Sequence, residues 1–480
     1  MRRLAAACAA VLVLLLGYAT LDVFDLVPGI LTRSGATTAP PPSTTPTTSG
    51  ASLPVRVPTV DPEARPLQPV SANAPIPDAA KVAAALAHVV KDPALGPRPG
   101  VVVRDAFTGE HLFDRAPDTP RTAASTGKLL TALAVATTLD LHSRLPTTVV
   151  QGATPDEVVL VAGGDTMLAK GKGDPAAVEG RAGIADLASQ VATALQASGT
   201  TTVTLRLDTT YCHGARWAPT WSQADVLAGY TGGVSMLGLA GQRAVPGKPA
   251  PRDPEAATAH AFAASLKALG ITARLAPEST WLTPAPKDAQ VLGTVESAPV
   301  GDLLGLALDD SDNALTEGLA RQAAVRAGGQ PTFAAAVAFV RAKVVALGVD
   351  LTGATLKDTS GLTSGQSIPP RVLSDVLQLG TDGTVPAMQE VVAELPVAGL
   401  TGTLHERFQA KGTHVVAGLA RAKTGTLTGS SAMAGTVIDA DGRVLTYVVL
   451  ATGLKPGAGT LEARAALDRF VATLAGCGCR

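Results

Sequence analysis

The sequence predicts an α+β fold in which one antiparallel sheet, with strands from both ends of the folded chain, is flanked by helices. Three observations predict it. A strand–turn–strand pattern opens the folded region, a second hairpin lies near the C-terminus, and strongly apolar helical stretches fall between them. Two such distant hairpins join one sheet most simply when the termini close it.

Each element has a local cause. Ala79 to Val90 shows helical periodicity, with Lys81 and Lys91 on the polar side. Gly100-Val101-Val102-Val103-Arg104-Asp105 reads as a strand, Thr108-Gly109 as a turn and Glu110 to Arg115 as the return strand. Ala124 to Leu139 is an apolar helix. Leu303 to Leu308 is an apolar run, and Ala314 to Ala324 is helical. Ser431 to Ile438 and Val444 to Ala451 are strands joined by Asp439-Ala440-Asp441-Gly442, and Leu461 to Leu474 is a closing amphipathic helix.

Composition bounds the function. The chain has 480 residues, 39 Lys+Arg against 40 Asp+Glu and a net charge of −1, which excludes a nucleic-acid binder with a basic face. Aromatics are 3% against 46% hydrophobic residues, so Ala, Val and Leu must fill the core. Four cysteines exclude a disulfide scaffold.

The N-terminus sets the compartment. Arg2 and Arg3 precede an uncharged apolar run from Leu4 to Leu21, at the length boundary between a signal-peptide core and a membrane span. Residues 1–33 are therefore a signal peptide or a membrane anchor, and the positive-inside rule sends the rest out of the cytoplasm. Residues 34–76, rich in Pro, Thr and Ser, form a disordered linker. Outside the apolar run the cysteines are Cys212, Cys477 and Cys479; either Cys212 bridges to one of the C-terminal pair, or these are free thiols.

Three short motifs carry chemistry. Ser125-Thr126-Gly127-Lys128 opens the apolar helix, and it is the only Ser-x-x-Lys in the chain. Residues three apart share a helix face, so hydroxyl and amine can meet. Burial lowers a lysine's pKa and frees it to take the serine proton. Ser311-Asp312-Asn313 stands between an apolar run and a helix, so it reads as a helix cap or as a proton relay (Ser311) with a carbonyl-binding amide (Asn313). Lys423-Thr424-Gly425-Thr426 ends a strand. Lys423 and Thr424 suit a carboxylate, Gly425 permits close backbone approach, and the Thr426 N–H can pair with the Ser125 N–H as an oxyanion hole.

Other chemistry is absent. His405-Glu406 lacks the second His of a zinc motif, since Gln409 stands there. No Gly-x-Ser-x-Gly elbow and no phosphate-binding loop occur, and no cofactor or metal is expected.

The three motifs, once each and in this order, resemble the serine β-lactamases and penicillin-binding proteins. Gly163-Gly164-Asp165, Ala218-Pro219-Thr220-Trp221 leading to Asp225, Asp358-Thr359-Ser360-Gly361-Leu362, and Leu395-Pro396-Val397-Ala398-Gly399 with Gly402-Thr403-Leu404 resemble the S13 D-Ala-D-Ala carboxypeptidases, class C low-molecular-mass penicillin-binding proteins. That resemblance runs from about Ala79 to Leu474. It implies a penicillin-binding, serine β-lactamase-like transpeptidase fold. Ser125 to Ser311 is longer than a compact β-lactamase needs, so a second domain is inserted: residues 77–145 and 295–480 are catalytic and residues 146–294 are the insert.

The resemblance also implies roles. Ser125 is the nucleophile, Lys128 the base, and Ser311 with Asn313 the second catalytic element. Lys423, Thr424 and Gly425 line the carboxylate end, and Thr426 the oxyanion hole. Asp225 reads the side-chain amine of the stem peptide's third residue, and Leu427 is an apolar wall. Ser364 stands where the family often has an arginine, which favours an amidated side chain. The implied partners are peptidoglycan stem peptides, β-lactams as inhibitors, and the membrane through the N-terminal segment. The implied activity is D-Ala-D-Ala carboxypeptidase, with cross-link endopeptidase action or an inactive wall-binding protein as alternatives.

Overall fold

Strands that are apolar at consecutive positions must be covered on both faces, and the two C-terminal strands are of this kind. The computed structural model describes residues 73–455 and 458–478. The 1–33 segment and nearly all of the 34–76 linker lie outside the described residues, and no helix among those described is long and apolar enough to cross a membrane.

The strands, in chain order, are β1 (Gly100–Asp105), β2 (His111–Arg115), β3 (Arg144–Gln151), β4 (Glu157–Val161), β5 (Thr202–Asp208), β6 (Thr272–Leu275), β7 (Val291–Pro299), β8 (Ala420–Leu427), β9 (Ser430–Ile438) and β10 (Val444–Thr452). The helices are α1 (Ala79–Leu86), α2 (Lys128–Ala136), α3 (Ile184–Ala197), α4 (Gln223–Leu227), α5 (Pro254–Ala268), α6 (Val300–Asp309), α7 (Asn313–Arg326), α8 (Phe333–Ala346), α9 (Pro370–Thr381), α10 (Pro386–Ala393) and α11 (Ala458–Ala475).

One sheet runs β2-β1-β10-β9-β8, antiparallel throughout. Its central strands alternate between two cores, as the period of two requires. Ala432, Ala434, Val448 and Leu450 face α2 and α6 to α10, while Met433, Val437, Tyr447 and Val449 face α1 and α11. Helix α2 lies inside the first core with every residue from Lys128 to Ala136 buried, as an all-round apolar helix must. The predicted hairpins and their closure by both termini are therefore observed, through the register Gly100↔Leu450 to Asp105↔Leu445.

A buried ion pair locks that closure. Arg443, at the entry to β10, pairs with the fully buried Asp105 at the end of β1, one contact being Nη2 to Oδ1 at 2.8 Å. Burial alone would raise the Asp105 carboxyl, but the Arg443 guanidinium and the Thr108 donors outweigh it and hold it below the usual carboxylate range.

The second sheet, order β6-β5-β4-β3-β7, is mixed: β3 pairs antiparallel with β4 and β7, and β4-β5-β6 are parallel. Its core combines Val158, Leu160, Leu205 and Leu207 with Leu187 and Val191 of α3 and Phe262 and Leu266 of α5.

Three expectations are corrected. The helix read from Ala124 starts as a 3-10 turn, Ala124–Gly127, and becomes α-helical only at Lys128. The first helix stops at Leu86, and Val89–Lys91 forms a separate 3-10 turn. Cys212 is free and buried rather than bridged, whereas Cys477 is disulfide-bonded. Cys212 sits at a left-handed φ of 49° within the core beside α7, held there by its backbone and packing rather than by a covalent link.

Asp165, in the Gly163-Gly164-Asp165 turn, is 1% exposed. Its Oδ1 accepts from Met167 N at 2.7 Å, and its Oδ2 has no partner among the described residues. Burial pushes the carboxyl up to about 7. Native Asp165 thus keeps a proton that the unfolded chain releases near pH 4, and stability at this site falls as pH rises towards 7. Asp165→Asn removes that titration. The variant's stability relative to wild type should rise by about 2 kcal/mol between pH 5.5 and 8, at about 1.36 kcal/mol per unit up to pH 7. Denaturant melts at the two pH values measure it; a pH-independent difference would refute it.

Candidate active site

The 3-10 turn at the head of α2 presents Ser125. Ala124, the residue before it, takes a left-handed φ of 48°, a conformation that a non-glycine residue holds only when its surroundings enforce it. Lys128 follows as the first residue of α2, fully buried. Its Nζ meets three oxygens: Ser125 Oγ at 3.0 Å, Asn313 Oδ1 at 2.5 Å and the Ser360 carbonyl at 2.7 Å. The three come from separate stretches of chain. Burial lowers the Lys128 amine to about 8, although Asp358, Asp312 and Glu317 pull the other way.

The Ser311-Asp312-Asn313 turn serves both as cap and as site. Asp312 caps α7 by accepting from Leu315 N at 2.9 Å, which the sequence preference anticipates. Arg243 grips the turn through Asp312 and Asp310, each at 2.9 Å, and also pairs with Glu179. Asn313 opens α7, aims its oxygen at Lys128, and donates from Nδ2 to the Tyr230 carbonyl at 2.8 Å. Ser311 holds a φ of 58°. Its half-buried hydroxyl has no hydrogen-bond partner among the described residues, and so is free to meet one.

β8 is the outer strand of its sheet. Along its free edge Ala398 N donates to Ala420 O and Ala422 N to Pro396 O, both at 2.9 Å. Backbone groups two residues apart point the same way, so Thr424 and Thr426 direct theirs to the same edge, beyond the 396–398 segment. A Cβ at Gly425 would stand 2.5 Å from Ala123 O and 3.1 Å from Ser125 N. Only glycine lets the strand lie this close to the Ser125 turn. Lys423 is fully buried and donates to Thr424 O at 3.0 Å. Burial, and then the charge of Lys128, hold its amine well below the usual range. Thr424 Oγ1 lies 2.9 Å from Thr403 Oγ1, and Arg464 Nη2 donates to Thr426 Oγ1 at 3.4 Å. Leu427 ends the strand, half-buried.

The Asp358–Thr363 loop forms the floor. Gly361 has φ 81°, and a Cβ there would meet Ala124 O at 2.1 Å. The segment from Ala218 to Tyr230 is pinned to this loop by Trp221 Nε1, which donates to Asp358 Oδ2 at 3.0 Å, and by Thr220 Oγ1 against Thr363 Oγ1 at 2.9 Å. Asp225 lies in this segment, half-buried in the first turn of α4, and its backbone carbonyl accepts from Tyr230 N at 2.9 Å. A hydrogen-bonded path thus runs from Asp225 through Tyr230 and Asn313 to Lys128.

The structure brings Ser125, Lys128 and Asn313 into direct contact and sets Gly425 against the same turn. Asp225 and Leu427 make no contact with these groups. Sequence reading missed the Ser360 carbonyl, since a backbone acceptor leaves no residue-type signal. It also missed Glu317, a carboxylate one helical turn past Asn313; that spacing was the available signal.

Comparison with known proteins identifies the family and the fold. The model of the D-Ala-D-Ala carboxypeptidase 3 (S13) family matches residues 82–246 and 243–474. Carboxypeptidase DacB of Mycolicibacterium smegmatis is 36% identical over 415 residues, 86% of this chain and 87% of that protein. The crystal structure of penicillin binding protein 4 from Haemophilus influenzae superposes with a TM-score of 0.65 at 19% identity, over 81% of this chain and 98% of that one. The same protein complexed with a β-lactam gives 0.57 at 19% identity, over 83% and 98%. With its sheet, its helical layers and its buried Ser–Lys–Asn constellation, the chain belongs to the D-Ala-D-Ala carboxypeptidase (S13) family of serine-type hydrolases.

Proposed function

We propose that this chain cleaves the terminal D-Ala from peptidoglycan stem peptides outside the cytoplasm through an acyl-enzyme on Ser125. The observation that carries the reading is the coordination of Lys128. A neutral amine has two N–H donors and one lone pair. The Asn313 and Ser360 oxygens occupy the two donors, so the lone pair is left for Ser125, 3.0 Å away. Lys128 then accepts the hydroxyl proton as Oγ attacks the carbonyl of the penultimate D-Ala.

The oxyanion forms at the N–H groups of Ser125 and Thr426. Collapse breaks the peptide bond, and the departing amine of D-Ala takes a proton through the Ser311 hydroxyl. Water then hydrolyses the ester. The free edge of β8 beyond the 396–398 segment supports binding of the substrate backbone as an added strand, with Lys423 and Thr424 at its carboxylate end. A β-lactam acylates Ser125 in the same way, and its ring opens without a leaving group.

The rest of the reading is of the same kind. Residues 146–294 are an insert on a catalytic domain of residues 77–145 and 295–480, which the two separate sheets support. Residues 1–33 export the chain or anchor it to the membrane. Asp225 and Leu427 receive the side chain of the stem peptide's third residue. Ser364 argues for an amidated side chain there, whereas the exposed Lys357, whose Nζ donates to Ser364 O at 3.1 Å, argues for a free acid. Hydrolysis of the two peptides side by side decides between them.

Fluorescent penicillin should label the wild type and leave Ser125→Ala and Lys128→Arg unlabelled, since a guanidinium keeps its proton; an unlabelled wild type would sink the acyl-enzyme reading. The acylation rate should climb with pH as Lys128 deprotonates, with an apparent midpoint near 8. A flat profile between pH 6 and 9 would remove Lys128 as the base. Products from cross-linked and uncross-linked muropeptides distinguish endopeptidase from carboxypeptidase action.

A further inference from the structure

Glu317 lies on the face of α7 that carries Asn313, four residues further on, and is 1% exposed. It forms no ion pair among the described residues. Burying a carboxylate without a counter-ion is unfavourable, and here three donors offset the loss. Thr359 N and Ser360 N each donate to Oε1 at 2.8 Å, and Thr359 Oγ1 lies 2.6 Å from Oε2. The carbonyls of the same two residues point to the other helix: Thr131 Oγ1 donates to Thr359 O at 2.6 Å, and Lys128 Nζ donates to Ser360 O at 2.7 Å. Thr359 and Ser360 therefore form a strap with its N–H groups on α7 and its carbonyls on α2. Without Glu317 the two amides would have no buried acceptor, and the Ser360 carbonyl would lose its fixed aim.

We propose that Glu317 is a positioning residue for acylation: by holding Thr359 and Ser360 it fixes the Ser360 carbonyl against Lys128 and so directs the amine's lone pair at Ser125. The assignment rests on the reading of Lys128 as the base. A carboxylate is required because both of its oxygens accept. In glutamine the oxygen can take the two N–H donors, but its NH2 would face Thr359 Oγ1, whose hydrogen then loses its buried acceptor. The charged groups facing this cluster are Asp358 from the floor loop, Asp312 from the cap of α7, Arg321 one turn along α7, Lys128 from α2, and Lys423 from β8. Burial raises the Glu317 carboxyl to about 7, so near pH 8, where Lys128 titrates, it is one of three anions that favour the ammonium, and removing its charge lowers the Lys128 pKa.

The test is stopped-flow acylation by a fluorescent penicillin across pH, with the full chain. Glu317→Gln should lose about 10²-fold in the acylation rate constant, as a misplaced catalytic group does, with the non-covalent affinity unchanged and the acid limb moved to lower pH. Thr359→Val, which keeps the charge and removes one of the three donors, should lose about tenfold with the acid limb in place. A Glu317→Gln enzyme with the wild-type rate, or with a reduced rate and an unmoved acid limb, would overturn the proposal. Should that variant fail to fold by circular dichroism, a wild-type rate in Thr359→Val would do the same. A wild type that penicillin does not acylate counts against the acyl-enzyme reading itself.

Discussion

A single buried amine organises this structure. Lys128 is fully buried, so its hydrogen-bonding directions are met by protein, and the three oxygens come from the head of α2, the start of α7 and the floor loop near Ser360. An unpaired donor at such a depth would cost several kcal/mol. The three segments are therefore forced together by the same requirement that tunes the amine. Fold and chemistry are satisfied by one set of contacts.

The surrounding architecture holds those contacts still. Helix α2 is buried along its whole length between one face of the main sheet and the helices α6 to α10. Asp105 and Arg443 join the first and last strands in chain order of the main sheet, so the edge strand β8 hangs from a sheet closed at both termini. The 144–299 region contributes inward as well as outward. Through Tyr230 its backbone holds Asn313, and through Trp221 and Thr220 it rests on the floor loop. Two backbone positions next to the chemistry, Ala124 and Ser311, are left-handed without being glycine. Strain of this kind persists where packing over-determines the chain.

Much of this was legible in the sequence because it follows from short-range rules. The hairpins show in turn residues between apolar runs, and the closing sheet follows from their placement at opposite ends. Ser125 and Lys128 share a helix face by spacing alone. The helix cap reads correctly in Asp312, and the same turn carries the Asn313 amide to Lys128. What stayed hidden depends on tertiary backbone geometry. Nothing about the residue type of Ser360 marks its carbonyl as an acceptor, and the mixed sheet of β3 to β7 arises from long-range pairings that periodicity does not encode. Of the two readings open for Cys212, the free thiol is the one observed, because which cysteines meet is set by long-range packing and not by compartment.

The Ser125 turn is clamped between two glycines. Gly425 approaches from the strand and Gly361 from the floor, and a methyl group at either would strike the carbonyl of Ala123 or Ala124. Both positions are in effect closed to mutation, since every other amino acid carries at least that methyl. The immediate walls of the Ser125 turn are therefore fixed in backbone shape, and variation around it is confined to side chains further out.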